Sequence, residues 1–399
     1  MRNRGGVLAK VVRPLVARID RGLVSGAMTV SFPEGGAAIR LGGRSSGPEA
    51  IVILNSWRAL WRLTMDGSIG WYEGWAAGEW ESPNPVAVIE VFSLNRRSLA
   101  TAGRAQGISR LVRRFWHRGH RNNRAGARRN IQEHYDLGNE FYSLWLDASM
   151  TYSSAIFSHE GESLEDAQRR KLAAILDRSA TEPGDRILEI GCGWGSFAET
   201  AARAGIRVHG ITLSTEQKAF AEQRIAAQGL DGVEIDLLDY RDVTGRYDGV
   251  ASIEMVEAVG EEYWPDYLAT IARALKPGGR AAIQYIAIDD GMFDGYARNV
   301  DFIQRYVFPG GMLLSESRFL AIAKQCGLRC SDRLTFGLDY AETLRRRREA
   351  FDRVIAANLL PAKFDKKFIG LWRFYLMYCE GGFRGGGIDV AQVTLVKDG

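Results

Sequence analysis

Three glycines at alternate positions, directly after a short apolar run, predict a ligand site in this sequence. Residues 186–195 read RILEIGCGWG. The apolar residues Ile187, Leu188 and Ile190 are typical of a buried parallel strand. Glycines after such a strand let a ligand lie against the backbone, close to the N–H groups that open the next helix. We therefore expect a strand, a ligand-binding turn and a helix in this order.

The residues around the turn favour S-adenosylmethionine over a nicotinamide dinucleotide. Dinucleotide-binding turns have the spacing G-x-G-x-x-G and an acid about 20 residues later. Here the spacing is G-x-G-x-G, Glu189 precedes the turn, and the next strand ends in Thr212 and Ser214. A carboxylate before the turn suits a ligand with a positive sulfonium and a free amino group. These residues alone leave open a purely structural turn.

Length and composition predict a globular protein with two domains. The chain has 399 residues, which is too long for one ordinary core, and 46% of them are hydrophobic. Its four cysteines lack metal-ligand spacing with histidines, so we expect no metal and a reduced, cytoplasmic setting. No apolar run approaches the ~20 residues of a membrane span, so no transmembrane segment is expected.

A basic stretch separates the expected domains. Nine arginines and no acid lie between Arg104 and Arg129, interleaved with aromatic residues. Such a run suits an anionic surface, either membrane or nucleic acid, and a solvated linker is the alternative. Each basic residue near an anionic bilayer contributes about 1 kcal/mol, which allows reversible docking.

The hydrophobic periodicity predicts a small α+β domain at 1–105, a basic linker at 106–130 and an α/β domain at 131–399. The small domain is expected to contain an amphipathic helix within 1–25, a hairpin (28–32 and 38–41), a strand (51–54), a helix (57–65) and aromatic-rich turns (67–80). In the large domain, strands and helices alternate from residue 186 to 286, which is typical of a parallel sheet. The terminal strand at 390–396 favours a methyltransferase-type sheet with one antiparallel edge.

The large domain resembles the cyclopropane-fatty-acyl-phospholipid synthase family, class I S-adenosylmethionine methyltransferases that include the mycolic acid cyclopropane synthases. The resemblance covers about 130–399, and more loosely 1–105. It is carried, in order, by HYDLGNEFYSLWLD (134–147), MTYSSAIF (150–157), LEIGCGWGSFA (188–198), GITLSTEQ (210–217), DYRD (239–242), SIEMVEAVG (252–260), FPGGMLLS (308–315) and FYLMYCEGGFRGGGIDVAQV (374–393). It implies a Rossmann-like class I methyltransferase sheet with a smaller N-terminal α+β lipid-handling domain.

The resemblance also implies which residues bind the cofactor, in addition to Glu189. They comprise a lid pair, the glycine turn, a segment beneath the ribose and the adenine edge: Tyr152 and Ser153; Gly191, Cys192 and Gly193; Thr212, Leu213, Ser214 and Gln217; Asp239, Tyr240 and Arg241.

A second implied set surrounds the reaction. Glu257 matches the active-site carboxylate of the family, Cys379 matches a cysteine regarded as catalytic, and five positions match a bicarbonate site: Glu257, Ser154, Gln284, Ile286 and Tyr340. Ser154 stands where most synthases have Cys, and Gln284 stands where some have His. Ala258 follows Glu257 where many have His. Serine can still donate a hydrogen bond to an anion, so bicarbonate binding is expected, but the substitutions leave the product open.

The expected chemistry needs a dry pocket and a base. Methyl transfer to an alkene leaves a carbocation that water would trap, and aromatic faces stabilise a cation by ~0.5–2 kcal/mol each. Tyr306, Phe308 and Tyr340 are candidates for this role. Glu257 either removes the proton or orients a bicarbonate that does so, and the second role is favoured. Three of the candidate residues have a purely structural alternative. Glu257 could be an acid at a helix N-terminus, Tyr340 a core residue and Cys379 a buried structural thiol.

The expected function is methylene transfer to the double bond of an unsaturated phospholipid acyl chain, which gives a cyclopropane. Alternatives are a fatty acyl methyltransferase with a methyl-branched or methylene product, and a non-catalytic lipid-binding protein. We expect no nucleic-acid partner, and a cytoplasmic protein that is peripheral on the inner face of the membrane. A homodimer is left open.

Overall fold

The computed structural model describes residues 14–33, 35, 37–102 and 137–398. Contacts divide the chain into two units. The first contains the described residues up to 102 together with Arg298–Tyr306 and Ala362–Gly387, and the second contains the rest. The predicted domains were contiguous, whereas two segments of the C-terminal half belong to the first unit. The predicted basic linker lies outside the described residues, as does the start of the predicted N-terminal helix.

The strands are β1 (Ser25–Ser31), β2 (Ile39–Gly42), β3 (Ser45–Leu54), β4 (Trp80–Glu81), β5 (Arg186–Ile190), β6 (Arg207–Thr212), β7 (Val233–Leu237), β8 (Tyr247–Ile253), β9 (Leu275–Ile288), β10 (Leu314–Ser315), β11 (Leu328–Thr335) and β12 (Ile388–Lys397). The helices are α1 (14–22), α2 (Arg58–Ala76), α3 (Pro85–Leu94), α4 (Arg96–Ala102), α5 (Asn139–Ser143), α6 (Leu164–Ser179), α7 (Ser196–Arg203), α8 (Thr215–Ala227), α9 (Trp264–Ala274), α10 (Asp290–Ala297), α11 (Phe302–Tyr306), α12 (Glu316–Gln325), α13 (Gly337–Ala356) and α14 (Lys366–Arg384). In the described part of the chain, no helix is both long and apolar enough to cross a membrane.

The first unit contains a four-stranded sheet in the order β2-β1-β3-β4. The predicted hairpin is confirmed, because β1 and β2 pair antiparallel. The predicted turns over 67–80 are wrong, because α2 continues to Ala76 with one break at Gly67. Burial of aromatic side chains outweighs the low helix propensity of the glycines here. Trp71, on this helix, stacks on Trp80 with 4.1 Å between ring centroids.

Close packing of α14 against α3 explains why residues 362–387 belong to the first unit. A Cβ atom added at Gly381 on α14 would lie 2.7 Å from the Cβ of Ile89 on α3. Only a glycine permits this helix separation. Aromatic contacts also join α2, α11 and α14: Tyr72, Phe302 and Phe374 have ring centroids 4.8–5.2 Å apart. The two contacts of Tyr72 span more than 200 residues of sequence, so local periodicity does not reveal them.

The second unit contains a mostly parallel α/β sheet, as predicted. Its strand order is β11-β12-β9-β8-β5-β6-β7, with β10 paired to β9. All neighbouring pairs from β9 to β7 are parallel, while β12 runs antiparallel to both β9 and β11. The sequence predicted an antiparallel strand at the edge of the sheet. The antiparallel strand β12 instead lies one position inside the edge, between β11 and β9. The carboxyl ends of β5, β6 and β8 meet at one side of the sheet, where α/β folds bind ligands.

Candidate active site

The glycine turn after β5 has the backbone conformation that its sequence predicts. Gly191, Gly193 and Gly195 all have positive φ angles, of 81°, 50° and 84°. The N–H groups of Gly191 and Cys192 both donate to the carbonyl of Ile211 at 3.0 Å, which ties the turn to β6. No atom lies within 4 Å of a Cβ built on Gly193. The turn therefore leaves open space against its backbone, and α7 begins directly after it.

A buried carboxylate and a buried amine lie beside this turn. Glu189 is 3% exposed, and its Oε2 atom has no hydrogen-bond partner among the described residues. Burial raises the pKa of Glu189 to about 8, against the opposing effect of Lys171. Lys171 is fully buried, and burial lowers its pKa to about 7. Both groups are adjacent to one cavity at the end of the sheet.

Ten of the thirteen predicted cofactor-binding residues line this cavity: Tyr152, Ser153, Glu189, Gly191, Cys192, Gly193, Thr212, Leu213, Gln217 and Tyr240. Ser214, Asp239 and Arg241 do not, and each has a local role instead. Ser214 caps α8, because its hydroxyl accepts a hydrogen bond from the N–H of Gln217. Asp239 forms two hydrogen bonds with the Arg241 guanidinium, at 2.8 and 2.6 Å.

The lid pair Tyr152 and Ser153 is held by three buried polar side chains that the sequence did not single out. Arg347 donates to the carbonyls of Thr151 and Ser153 at 2.7 and 2.8 Å. Gln168 donates to the Ser153 carbonyl at 2.9 Å, and Lys171 donates to the Ser153 hydroxyl at 2.8 Å. These bonds from α6 and α13 hold in place the segment 151–153, which lines the cavity.

Glu254, which was not predicted, is the centre of the polar network at this site. It follows β8 directly and lines the same cavity. Its Oε1 accepts from the backbone N–H of Ser154 and from Nε2 of Gln284, both at 2.8 Å. Its Oε2 accepts from the Tyr340 hydroxyl at 2.7 Å. Three of the five residues assigned to bicarbonate therefore bind one carboxylate of the chain itself.

The other two residues of that predicted set bind each other. The backbone N–H of Ile286 donates to Oε1 of Glu257, and Glu257 does not line the cavity. Burial, together with the nearby Glu254 charge, raises the pKa of Glu257 to about 8. Ser154 is fully buried, and its hydroxyl donates to the carbonyl of Ala155 at 2.9 Å. The expected donation from this hydroxyl to an anion is thus replaced by donation from the backbone.

The remaining predicted residues lie apart from the cavity lining. Phe308 contacts Tyr152, with ring centroids 6.4 Å apart, in the second unit. Tyr306 belongs to the first unit, where its hydroxyl donates to Glu73 at 2.9 Å. Cys379 also belongs to the first unit, and burial raises the pKa of its thiol far above the usual value. The structure therefore gives Cys379 no feature of a reactive thiolate.

Comparisons with known proteins identify the family. The family model for mycolic acid cyclopropane synthetase matches residues 122–393. Over 352 residues the chain is 41% identical to tuberculostearic acid methyltransferase UfaA1 of Mycobacterium tuberculosis, with 85% of this chain and 81% of the relative covered. The chain belongs to the mycolic acid cyclopropane synthetase family. It is also 37% identical to the cyclopropane-fatty-acyl-phospholipid synthase of Escherichia coli, over 67% of each chain.

Solved structures of two cyclopropane synthases share the fold of this chain over about two thirds of its length. Mycolic acid cyclopropane synthase CmaA1, complexed with SAH and CTAB, is 28% identical with a TM-score of 0.64, over 68% of this chain and 98% of that one. The cyclopropane synthase MmaA2 of Mycobacterium tuberculosis gives a TM-score of 0.62 at 28% identity, with the same coverage. The predicted class I methyltransferase fold is confirmed, and this family member is an S-adenosylmethionine-dependent methyltransferase.

The cavity fits S-adenosylmethionine, which supplies an electrophilic methyl group when bound. The unpartnered Oε2 of Glu189 is a buried acceptor of the kind that a cationic ligand satisfies. The open backbone at Gly193 leaves room for a ligand beside the turn. By contrast, the residues do not fit bicarbonate. The donors of Ser154, Gln284 and Tyr340 are engaged by the Glu254 carboxylate, and a second anion there would meet a like charge.

One sequence signal could have identified Glu254. An acid that directly follows a buried parallel strand lies at the ligand-binding side of the sheet, and Glu254 follows β8 in this way. The motif SIEMVEAVG instead drew attention to Glu257, three residues later. Lys171 and Arg347 gave no comparable signal, because each lies in a helix rich in exposed charges.

Proposed function

We propose that this protein transfers a methyl group from S-adenosylmethionine to the double bond of an unsaturated phospholipid acyl chain and then removes a proton. The observation that carries the proposal is the polar cluster at the cavity, where a held carboxylate lies beside the cofactor turn. Methyl transfer to an alkene generates a cation that must lose a proton nearby. The site supplies a proton acceptor and, in Tyr152 and Tyr240, aromatic faces that stabilise positive charge.

The names of the relatives support a lipid substrate. One is a cyclopropane-fatty-acyl-phospholipid synthase, another a probable fatty acid methyltransferase of Pseudomonas putida at 38% identity. The basic run from Arg104 to Arg129 supports action at an anionic membrane surface. Charge reversal within this run should weaken binding to anionic vesicles, and added salt should weaken binding by the wild type.

The assay combines purified protein, S-adenosylmethionine and vesicles of unsaturated phospholipid, with lipid masses as the readout. We expect a gain of one CH2 for each modified double bond. Vesicles of fully saturated phospholipid are the matched control and should gain nothing. If unsaturated lipids also keep their mass while the protein is folded and binds the cofactor, the proposed function is wrong and a lipid-binding role replaces it.

The principal expectation for the product is a cyclopropane, with a methylene or methyl-branched alkene as second candidate. One observation supports the second candidate: the chain is 41% identical to a protein that is named a methyltransferase and not a cyclopropane synthase. A donor with a trideuterated methyl group separates the classes. Proton loss from the new methyl group leaves two deuterium atoms, in a cyclopropane or a methylene, whereas proton loss from the chain leaves three. Proton NMR then distinguishes upfield cyclopropane signals from vinylic ones.

A further inference from the structure

We propose that Glu254 is the chain's own proton acceptor, and that its carboxylate takes the place of a bound bicarbonate ion. This inference rests on the proposed function. Bicarbonate and a carboxylate are both planar anions that need donors on their oxygen atoms. The Glu254 oxygens already accept from Ser154, Gln284 and Tyr340, at 2.7–2.8 Å. At such short range, a second anion on these donors would be strongly repelled.

The position of Glu254 suits contact with the transferred methyl group. Of the two neighbouring acids, Glu254 lines the cofactor cavity and Glu257 does not. The backbone of Glu254 has φ at 49°, in the left-handed region that non-glycine residues seldom adopt. Such a strained conformation occurs preferentially at functional sites. Here the N–H of Glu254 donates to the carbonyl of Gln284 at 2.8 Å, which holds the strained residue in place.

A second amide orients the donor that Gln284 offers. Nε2 of Gln392 donates to Oε1 of Gln284 at 3.0 Å, across the pair of strands β12 and β9. This bond turns the NH2 group of Gln284 towards Glu254. Arg178 in turn donates to Oε1 of Gln392 at 3.2 Å, so the orientation continues to the surface of the sheet. The carboxylate is therefore held in one orientation before any substrate binds, as general-base catalysis requires.

Methyl transfer comes first, and proton removal follows. The bond from sulfur to methyl breaks as a bond forms between the methyl carbon and one alkene carbon, which leaves a cation on the other alkene carbon. A proton then moves from the methyl group to the Glu254 carboxylate. The released C–H electron pair closes the cyclopropane ring. If the neighbouring hydrogen has first moved with its pair to the cationic carbon, the C–H pair forms a methylene double bond. The proton leaves Glu254 for solvent after product release.

A weak base suffices for this proton, because C–H bonds next to a carbocation are far more acidic than a carboxylic acid. The Glu254 oxygens accept hydrogen bonds from Ser154, Gln284 and Tyr340. The same hydrogen bonds reduce the tendency of the oxygens to attack the cation and form an ester. Tyr340 and the Ser154 N–H thus hold a base that removes a proton without trapping the intermediate.

Bicarbonate dependence and two substitutions test the inference. Turnover of the full-length protein on unsaturated phospholipid vesicles is measured in carbon-dioxide-free buffer with and without added sodium bicarbonate. Glu254→Gln keeps the shape of the side chain but cannot accept a proton. Glu254→Gly removes the anion while leaving the donors, and glycine adopts the left-handed conformation without strain. Glu182→Gln, at an exposed position before β5, is the control for loss of a carboxylate.

We expect wild-type turnover to be the same with and without bicarbonate. Glu254→Gln should lower turnover by about 10²–10⁴-fold with cofactor affinity, measured by calorimetry, within a few-fold of wild type. Without bicarbonate, Glu254→Gly should be as impaired as Glu254→Gln. Added bicarbonate should restore turnover of Glu254→Gly. Wild-type turnover that rises with bicarbonate, a Glu254→Gln variant as active as Glu182→Gln, or a folded Glu254→Gly variant that bicarbonate does not restore would each overturn the inference. In those cases wild type still forms product, whereas failure of the proposed function shows as no product at all.

Discussion

Cofactor binding should release a proton from Glu189, which tests the cofactor site without any turnover. Burial raises the pKa of Glu189 to about 8 in the free protein. At pH 7, one unit below this pKa, about nine-tenths of these carboxyl groups are protonated. A bound cation beside the group favours its ionised form. Binding at pH 7 should therefore release about 0.9 proton from Glu189, and binding at pH 9 about 0.1.

The sign of the pH dependence follows from the same shift. Because the free protein holds more protons than the complex below pH 8, affinity should rise with pH and level off above 8. The rise approaches about tenfold per pH unit well below the pKa. Burial lowers the pKa of Lys171 to about 7, so this amine also loses protons when a cation binds. A variant is thus needed to isolate the share of Glu189.

Titration calorimetry with S-adenosylmethionine at pH 7, in two buffers of different ionisation enthalpy, measures the number of protons released. Glu189→Gln should release about 0.9 fewer protons than wild type. It should also bind about 10–100-fold more weakly, because a hydrogen bond to a charged group contributes about 1.5–3 kcal/mol. The exposed variant Glu182→Gln should match wild type in both respects. Equal proton release by wild type and Glu189→Gln would refute the assignment of Glu189 as the cation-binding group.

Three further substitutions test other parts of the site. Gly191→Ala would place a Cβ 2.8 Å from Cγ of Met255 at a φ of 81°; it should lower the free energy of unfolding by about 1–3 kcal/mol in urea, and an unchanged unfolding midpoint would contradict this. Tyr340→Phe removes the hydroxyl donor to Glu254; turnover should fall about tenfold or more with unchanged cofactor affinity, whereas an equal loss of affinity would mean that Tyr340 shapes the cofactor site. Cys379→Ala should keep most of its turnover, because burial strongly disfavours the thiolate; a loss of about 100-fold in a folded variant would restore a chemical role for the thiol.

The sheet and the glycine turn could be predicted because their signals are local. A five-residue segment with three apolar side chains forms β5, and the glycines after it occur where φ is positive. The path of α2 could not be predicted in this way, since glycines at 67, 70 and 74 are usually helix-breaking. Its helix depends on burial of Trp71 against Trp80, beyond the helix end, and of Tyr72 against Phe302, which is 230 residues away in sequence. The same holds for the membership of 362–387 in the first unit.

Matching a motif to a family places residues on the correct loop but does not fix where each side chain points. Asp239, Tyr240 and Arg241 occupy one short segment, yet only Tyr240 lines the cavity. Asp239 and Arg241 are only two positions apart and form a salt bridge with each other. Nη2 of Arg241 lies 2.6 Å from Oδ2 of Asp239. Ser214 shows the same effect. Its hydroxyl lies just before α8 and accepts a hydrogen bond from the N–H of Gln217 in the first turn.

The role proposed for Glu254 accounts for two of the three positions at which the sequence departs from the family, Ser154 and Gln284. The partners of its carboxylate come from residues 100, 30 and 86 positions away, so only the folded chain reveals them. A carboxylate that belongs to the chain needs neutral hydrogen-bond donors that do not themselves take up the proton removed from the substrate. Gln284 is such a donor, whereas the imidazole found in some relatives exchanges protons in the neutral range. At Ser154 the backbone N–H supplies the bond, so the identity of the side chain matters less. The departures at Ser154 and Gln284, which left the product open, are therefore compatible with a base that the chain itself supplies.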